Sequence, residues 1–165
     1  MARLTLEDHL HKAADIILGN ILWYKANNNR EADEAWQIGQ TVFQINNPSG
    51  KMSVEARQAL IDGTLTRSEL CKEHFHPRVP SAIKILRHFK DIDVDKDVLI
   101  EMIRKYTQTH IVLKQQNMDL KKITGKSSKH PLKDATWQEQ YAYLNIVLVD
   151  AVDMRKYNSK KARAA

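Results

Sequence analysis

The stretch TLEDHLHKAADIILGNILWY, residues 5–24, decides the fold class, because its apolar side chains recur at the three-and-four spacing of an α-helix. Thr5 is a favoured residue type at a helix N-cap, and Glu7 and Asp8 place negative charge in the first turn, where it is stabilising. We therefore predict a helix that runs to about Tyr24. The same apolar spacing in residues 32–43 predicts a second helix, which could pair antiparallel with the first.

Most of the remaining patterns are also helical. The cluster at residues 46–50 predicts a turn, and Ser53 is placed to cap a short helix that ends near Gly63. The sequences Thr66–Glu69 and Thr136–Glu139 have the spacing of capping boxes. Further helices are predicted around residues 83–89, 98–106 and 114–123, and over 136–152.

One segment has a different period. Residues 107–113, TQTHIVL, are rich in β-branched side chains and partly alternate, so they form our one strand prediction. The patterns together predict a mainly α fold, a compact helical domain with a small β element over residues 1–154. Residues 155–165 are basic and lack apolar periodicity, and we predict a flexible tail there.

Composition and charge limit the classes of function. The 165 residues suit one domain, and 26 Lys and Arg against 20 Asp and Glu give a formal charge of +6, which favours polyanionic partners such as nucleic acid. A single cysteine excludes an internal disulfide and a thiolate metal cluster. No signal region and no apolar run of about 20 residues is evident, so we expect a cytoplasmic protein with no membrane partner.

The segment EHFHPR, residues 73–78, is the best candidate for chemistry. A carboxylate beside a histidine can hold a divalent metal ion and activate a water molecule at one point, which favours Glu73 and His74. For His76 a structural role in a proline-bent loop is favoured. Arg78 could contact a phosphate through its planar guanidinium or form a structural ion pair with Glu73, and both interpretations stay open.

A lysine-rich band follows the predicted strand. Residues 114–133 contain six lysines and one acid, Asp119. The band can be a solvated helix face or a surface that tracks nucleic-acid phosphates, and its position beside Asn117 makes both interpretations reasonable. The candidate phosphate contacts are Lys114, Lys121, Lys122, Lys126 and Lys129.

The order of the polar residues resembles the HNH endonuclease superfamily, the His-Asn-His or ββα-metal type. The sequence Glu73-His74 with Pro77 looks like the first element of that family, and His110 to Asn117 looks like its last strand and helix. The resemblance covers about residues 66–122. It implies a degenerate ββα-metal core with a helical insertion, in a protein of phage or mobile-element type.

The resemblance also implies roles for the individual residues. Glu73 and Asn117 would be metal ligands, His74 would be the general base, and His110 would orient the base, a place for which Gln108 competes. The implied activity is a metal-dependent endonuclease or nickase that hydrolyses DNA. Oxygen ligands from Glu73 and Asn117 suit magnesium or manganese better than zinc.

A second function fits the same residues. In a helical nucleic-acid-binding or protein-binding regulator without enzymatic activity, Glu73 and His74 would only stabilise a turn. The choice of DNA over RNA depends on the family resemblance, and RNA or a protein remains a possible partner. The nuclease interpretation requires Glu73, His74 and Asn117 to converge although they are far apart in the sequence.

Overall fold

A computed structural model of the chain describes residues 4–27, 30–74, 76–125 and 127–157. Within these ranges it contains seven α-helices and a small four-stranded sheet, which confirms the predicted mainly α class. The helices are α1 (Leu6–Asn27), α2 (Glu31–Phe43), α3 (Val54–Ile61), α4 (Arg78–His88), α5 (Lys96–Tyr106), α6 (Lys114–Thr124) and α7 (Trp137–Tyr143). The strands are β1 (Asn47–Ser53), β2 (Leu70–His74), β3 (Gln108–Leu113) and β4 (Leu148–Asp150).

The chain divides into two compact units, each built from two segments. The first unit comprises Met1–Asn47 and His74–Gln108, and the second comprises Pro48–Glu73 and Thr109–Ala165. The single domain predicted for residues 1–154 stays a prediction.

The first unit is helical. Helix α1 packs against α2 and α5, and α2 packs against α4. Most of the apolar stripe predicted for residues 5–24 is buried in this core, since Leu10, Ile17 and Ile21 have no exposed surface, but Leu22 is 53% exposed. Phe89, which follows α4, is the largest fully buried side chain in the same cluster. The helical period of the sequence therefore identifies the core of this unit correctly.

The second unit holds the sheet, except for the terminal strand residues Asn47, His74 and Gln108. The strand order is β2-β3-β1-β4. Strands β1 and β4 are antiparallel, with Met52 opposite Val149. Helices α6 and α7 pack together in this unit, and both come after β3 in the sequence.

The turn predicted at residues 46–50 is wrong, because most of this segment belongs to β1. Its turn-forming residues are accommodated in the strand, where Gly50 adopts a φ of +75° that other residues rarely adopt. The following residues Met52 and Ser53 are fully buried, and Lys51 Nζ lies 2.6 Å from Asp150 Oδ1 on the paired strand. Pairing with a distant strand overrides the local turn preference here.

The long last helix predicted to reach Val152 is also wrong, because α7 ends at Tyr143. Asn145 has a φ of 54° and stops the helix in the left-handed conformation. The backbone N–H of Ile146 donates to the Tyr141 carbonyl at 2.8 Å, and that of Asn145 donates to Ala142 at 3.1 Å. This is a Schellman motif, and it frees the chain to form β4.

The local helix-start signals are confirmed. Ser53 Oγ accepts from the Ala56 N–H at 3.2 Å and caps α3. Capping boxes are present at Thr66, before a short 3-10 helix at Arg67–Glu69, and at Thr136, before α7. The predicted tail begins at residue 155, and its first three residues belong to a 3-10 helix at Met154–Tyr157. Residues 158–165 lie outside the described residues. None of the described helices has the length and apolar character needed to span a bilayer.

Candidate functional site

Strand β2 carries Glu73 at its penultimate position. The Thr66–Glu69 capping box precedes the strand: Glu69 accepts from the Thr66 backbone N–H at 2.7 Å and fixes the entry into β2. His74 is the last residue of β2, a strand that lies outside the one strand prediction at residues 107–113. Glu73 belongs to the second unit, and His74 is the first residue of a segment of the first unit.

Glu73 is a carboxyl group in a largely desolvated place. Burial raises its pKa from 4.5 to about 7, and the ammonium group of Lys121 opposes that rise. A carboxyl with a pKa near 7 exchanges its proton at neutral pH. Such a group is unusual on a protein surface and is typical of sites where acid or base chemistry takes place.

Asn117 lies on α6, which begins directly after β3 as the sequence predicts. The Gln116 side chain accepts from the Leu113 N–H at 3.0 Å and from Ser53 Oγ at 2.8 Å, and it donates to Glu55 at 2.9 Å. These bonds fix the start of the helix against β1 and α3. Asn117 is consequently held at the buried side of α6 and is only 6% exposed.

The side-chain amide of Asn117 contacts β2. Its Nδ2 donates to Cys71 Sγ at a distance of 2.7 Å. Its Oδ1 is buried and accepts no hydrogen bond from the part of the chain that the structure describes. A buried acceptor without a donor typically costs about 1–3 kcal/mol, so this oxygen is a candidate ligand atom.

The spacing of residues on strand β2 and on helix α6 brings these side chains together in the second unit. Cys71 and Glu73 are two residues apart on β2, so they project from the same face of the strand. Asn117 and Lys121 are four residues apart on α6, so they project from the same face of the helix. Because Asn117 contacts Cys71 and Lys121 acts on Glu73, this face of α6 lies along that face of β2. We call the group of Cys71, Glu73, Asn117 and Lys121 the Glu73 cluster.

His110 lies in an aromatic environment of the same unit. It is 3% exposed, and its ring centroid lies 5.2 Å from that of Trp137 and 5.8 Å from that of Tyr141, both on α7. The sequence predicted it as a residue that orients a catalytic base. Its place among aromatic rings shows that it also packs the interior, and the catalytic role stays a prediction.

Tyr141 is a residue of this region that the sequence places only within a predicted helix. Its hydroxyl is buried and has no hydrogen-bond partner among the described residues. Burial and the negative charge of Glu73 both raise the pKa of its phenol. No sequence pattern indicates this relationship, because Tyr141 lies on a helix far from Glu73 in the chain.

The remaining residues of the 73–78 segment belong to the first unit. His76 packs edge-on against Tyr106 with ring centroids 5.2 Å apart, and burial together with Lys105 and Lys84 lowers its pKa to about 4. It is therefore neutral at physiological pH, in agreement with the structural role favoured for it. Arg78 is exposed and begins α4, and its predicted phosphate contact stays a prediction.

Four lysines of the band, Lys114, Lys121, Lys122 and Lys129, are exposed, and Lys133 is half-buried. Lys114, Lys121 and Lys122 lie on α6, and Lys129 lies in the segment before α7. Lys122 Nζ contacts Asp119 Oδ1 at 2.6 Å, so its charge is partly neutralised within the helix. Lys126, also predicted as a phosphate contact, lies outside the described residues.

Within the described ranges, no three side chains of the His, Cys, Asp and Glu types are grouped so that they could hold a metal ion. An ion at the Glu73 cluster would therefore depend on one carboxylate, an amide oxygen, and oxygens from water or substrate. Comparison of the chain with protein-family models, with curated proteins and with solved structures gives no match. Function has to be argued from the cluster itself.

Proposed function

We propose that the protein is a metal-dependent endonuclease or nickase that hydrolyses phosphodiester bonds of DNA at the Glu73 cluster. The observation that supports this most is the contact between Asn117 and β2, because it places a helix-borne amide oxygen beside the strand of Glu73. The HNH resemblance implies the same pairing of a strand-end acid with a helix residue. The fold brings β2 and α6 into contact although they are far apart in the sequence.

The donor types of the cluster suit magnesium or manganese. Glu73 offers a carboxylate, and Asn117 Oδ1 is a buried oxygen that accepts no hydrogen bond from the described residues. Magnesium is commonly bound by one or two carboxylates, with waters and substrate phosphates as its other ligands. A bound ion of this kind would neutralise the charge that develops on the phosphate oxygens during hydrolysis.

The chain's own residues supply the rest of the reaction. The HNH resemblance gives the role of general base to His74, which would accept a proton from the attacking water at a ring nitrogen. His74 is the neighbour of Glu73 on β2 and projects from the opposite face of the strand, so this role rests on the resemblance alone. The water oxygen forms the new bond to phosphorus, the bond to the leaving sugar oxygen breaks, and that oxygen takes a proton from solvent. Exposed lysines of α6 hold flanking phosphates by charge attraction.

The test is cleavage of supercoiled and linear DNA with magnesium or manganese by the parent chain and by His74→Ala. We expect the parent to nick the supercoiled form and the variant to lose most of this activity. His9→Ala serves as the matched control, since His9 is an exposed histidine on α1, and it should cleave as the parent does. Binding of DNA by all three proteins without cleavage would support the non-enzymatic regulator instead.

A further inference from the structure

Cys71 is the only cysteine of the chain, and it is in direct contact with the amide of Asn117. The residue is half-buried on β2, two positions before Glu73. Its S–H is placed to donate to the Lys72 carbonyl oxygen, with the sulfur 3.6 Å from that oxygen. The sulfur lone pairs are then the part of the thiol that faces the Asn117 N–H.

The contacts of Cys71 determine the orientation of the Asn117 side-chain amide. A carboxamide has a donor end and an acceptor end, and the two are interchanged by a rotation of 180°. Because the thiol proton is directed to Lys72, the sulfur accepts from Nδ2 at 2.7 Å, and Oδ1 points away from Cys71. The rotated amide would direct an N–H where the structure has the buried acceptor oxygen.

We propose that Cys71 is a positioning residue that holds Asn117 Oδ1 toward the ligand of the Glu73 cluster, and that modification of its thiol disables the site. The inference rests on the proposed function, in which Oδ1 is a ligand atom. A group added to the sulfur would occupy the space in which Nδ2 now lies, so the amide would have to leave its position.

Iodoacetamide is a suitable probe of this thiol. The thiolate attacks the methylene carbon, a carbon–sulfur bond forms, iodide leaves, and the thiol proton passes to solvent. Since the chain has one cysteine, Cys71→Ser provides a protein that the reagent cannot alkylate at sulfur. We expect iodoacetamide to inactivate the parent and to leave Cys71→Ser active.

Two substitutions test positioning without a reagent. Cys71→Ser keeps an acceptor for the Asn117 N–H, and Cys71→Ala removes it. We expect Cys71→Ala to lower kcat for DNA cleavage roughly 3- to 10-fold, as for the loss of one hydrogen bond, with KM unchanged because the lysines still hold the phosphates. Cys71→Ser should recover most of the lost kcat. An unchanged kcat in Cys71→Ala, or an equal loss in both variants, would overturn the proposal.

A second readout separates this inference from the proposed function. The side-chain amide of Asn117 gives its own pair of resonances in a ¹⁵N correlation spectrum, which Asn117→Asp identifies by their loss. We expect Cys71→Ala to shift this pair far more than Cys71→Ser does. If the parent fails to cleave DNA, the proposed function fails, yet the spectrum still reports whether Cys71 fixes the amide. Equal spectra for the parent and Cys71→Ala would refute the positioning contact itself.

Discussion

The amide nitrogen of Asn117 lies 2.7 Å from the sulfur of Cys71, although the two residues are 46 positions apart in the sequence. This contact aligns one face of α6 with one face of β2. Lys121, one turn beyond Asn117, consequently acts on Glu73, two residues beyond Cys71. A carboxyl, an amide and an ammonium group thus lie on the facing sides of β2 and α6 within the second unit.

The first prediction concerns the stability of Glu73→Gln as a function of pH. Because the folded-state pKa is raised from 4.5 to about 7, the folded protein keeps the Glu73 proton in a range where the unfolded chain has lost it. The free energy of unfolding should therefore fall as pH rises from about 4.5 to 7, by about 1–3 kcal/mol from this group. The glutamine variant, which does not titrate, should lack this part of the fall.

Urea unfolding at several pH values between 4 and 8 measures the effect. Asp134→Asn is the control, since it replaces an exposed acid of the same unit and leaves Glu73 in place, so the fall between about pH 4.5 and 7 should remain. A profile of Glu73→Gln that also matches the parent would mean that Glu73 is solvated and that its environment is ordinary.

The second prediction is that Asn117→Leu loses cleavage and keeps its stability. Leucine has a similar branched shape, and it removes a buried oxygen that accepts no hydrogen bond from the described residues. The cost of about 1–3 kcal/mol for that oxygen disappears, which offsets the lost contact with Cys71. We expect the free energy of unfolding to stay within about 1 kcal/mol of the parent while cleavage drops at least about 100-fold.

Asn47→Leu is the matched control for stability. Asn47 is also 6% exposed, but its Nδ2 donates to the Arg104 carbonyl at 2.8 Å and to Thr107 Oγ1 at 3.1 Å. Its replacement removes both hydrogen bonds and should cost about 1–3 kcal/mol. Thermal or urea unfolding compares the two variants. A larger loss for Asn117→Leu than for Asn47→Leu would identify Asn117 as a structural residue.

Features that depend on neighbours in the sequence could be predicted. The helical stripe of α1, the Ser53 cap and the two capping boxes at Thr66 and Thr136 are encoded within one or two turns of chain, and all are present. Strand β1 could not be predicted, because its residues favour a turn and become a strand only within the sheet, where β1 lies between β3 and β4. The period of the sequence carries no record of these partners.

The candidate site shows the same limit. Glu73 and His74 as candidates for chemistry, and Asn117 near the start of a helix after a strand, could be predicted from local patterns, whereas strand β2 could not. The contact of Asn117 with Cys71 and the effect of Glu73 on Tyr141 could not, because each joins elements that are distant in the sequence. Local patterns therefore miss the contacts that orient Asn117 and that raise the pKa of Tyr141.

The third prediction separates two lysines of α6 by their surroundings. Lys114 has no acid partner among the described ion pairs, whereas Lys122 Nζ already contacts Asp119 at 2.6 Å. Neutralising a lysine that contacts a phosphate lowers the slope of log affinity against log salt by about 1. We expect this change for Lys114→Ala and a smaller one for Lys122→Ala, measured with a DNA duplex in EDTA over a salt series. Equal slopes in the parent and Lys114→Ala would exclude Lys114 from the DNA contact.

The most direct test of the account is the initial rate at which the parent and Glu73→Gln nick supercoiled plasmid in magnesium. The substitution keeps the shape of the side chain and removes the carboxylate that the proposal makes a ligand. We predict that the parent nicks the plasmid and that Glu73→Gln is at least about 100-fold slower, with unchanged affinity for the plasmid in EDTA. A parent that binds without nicking, or a variant that nicks at the parental rate, would contradict the assignment of hydrolysis to the Glu73 cluster.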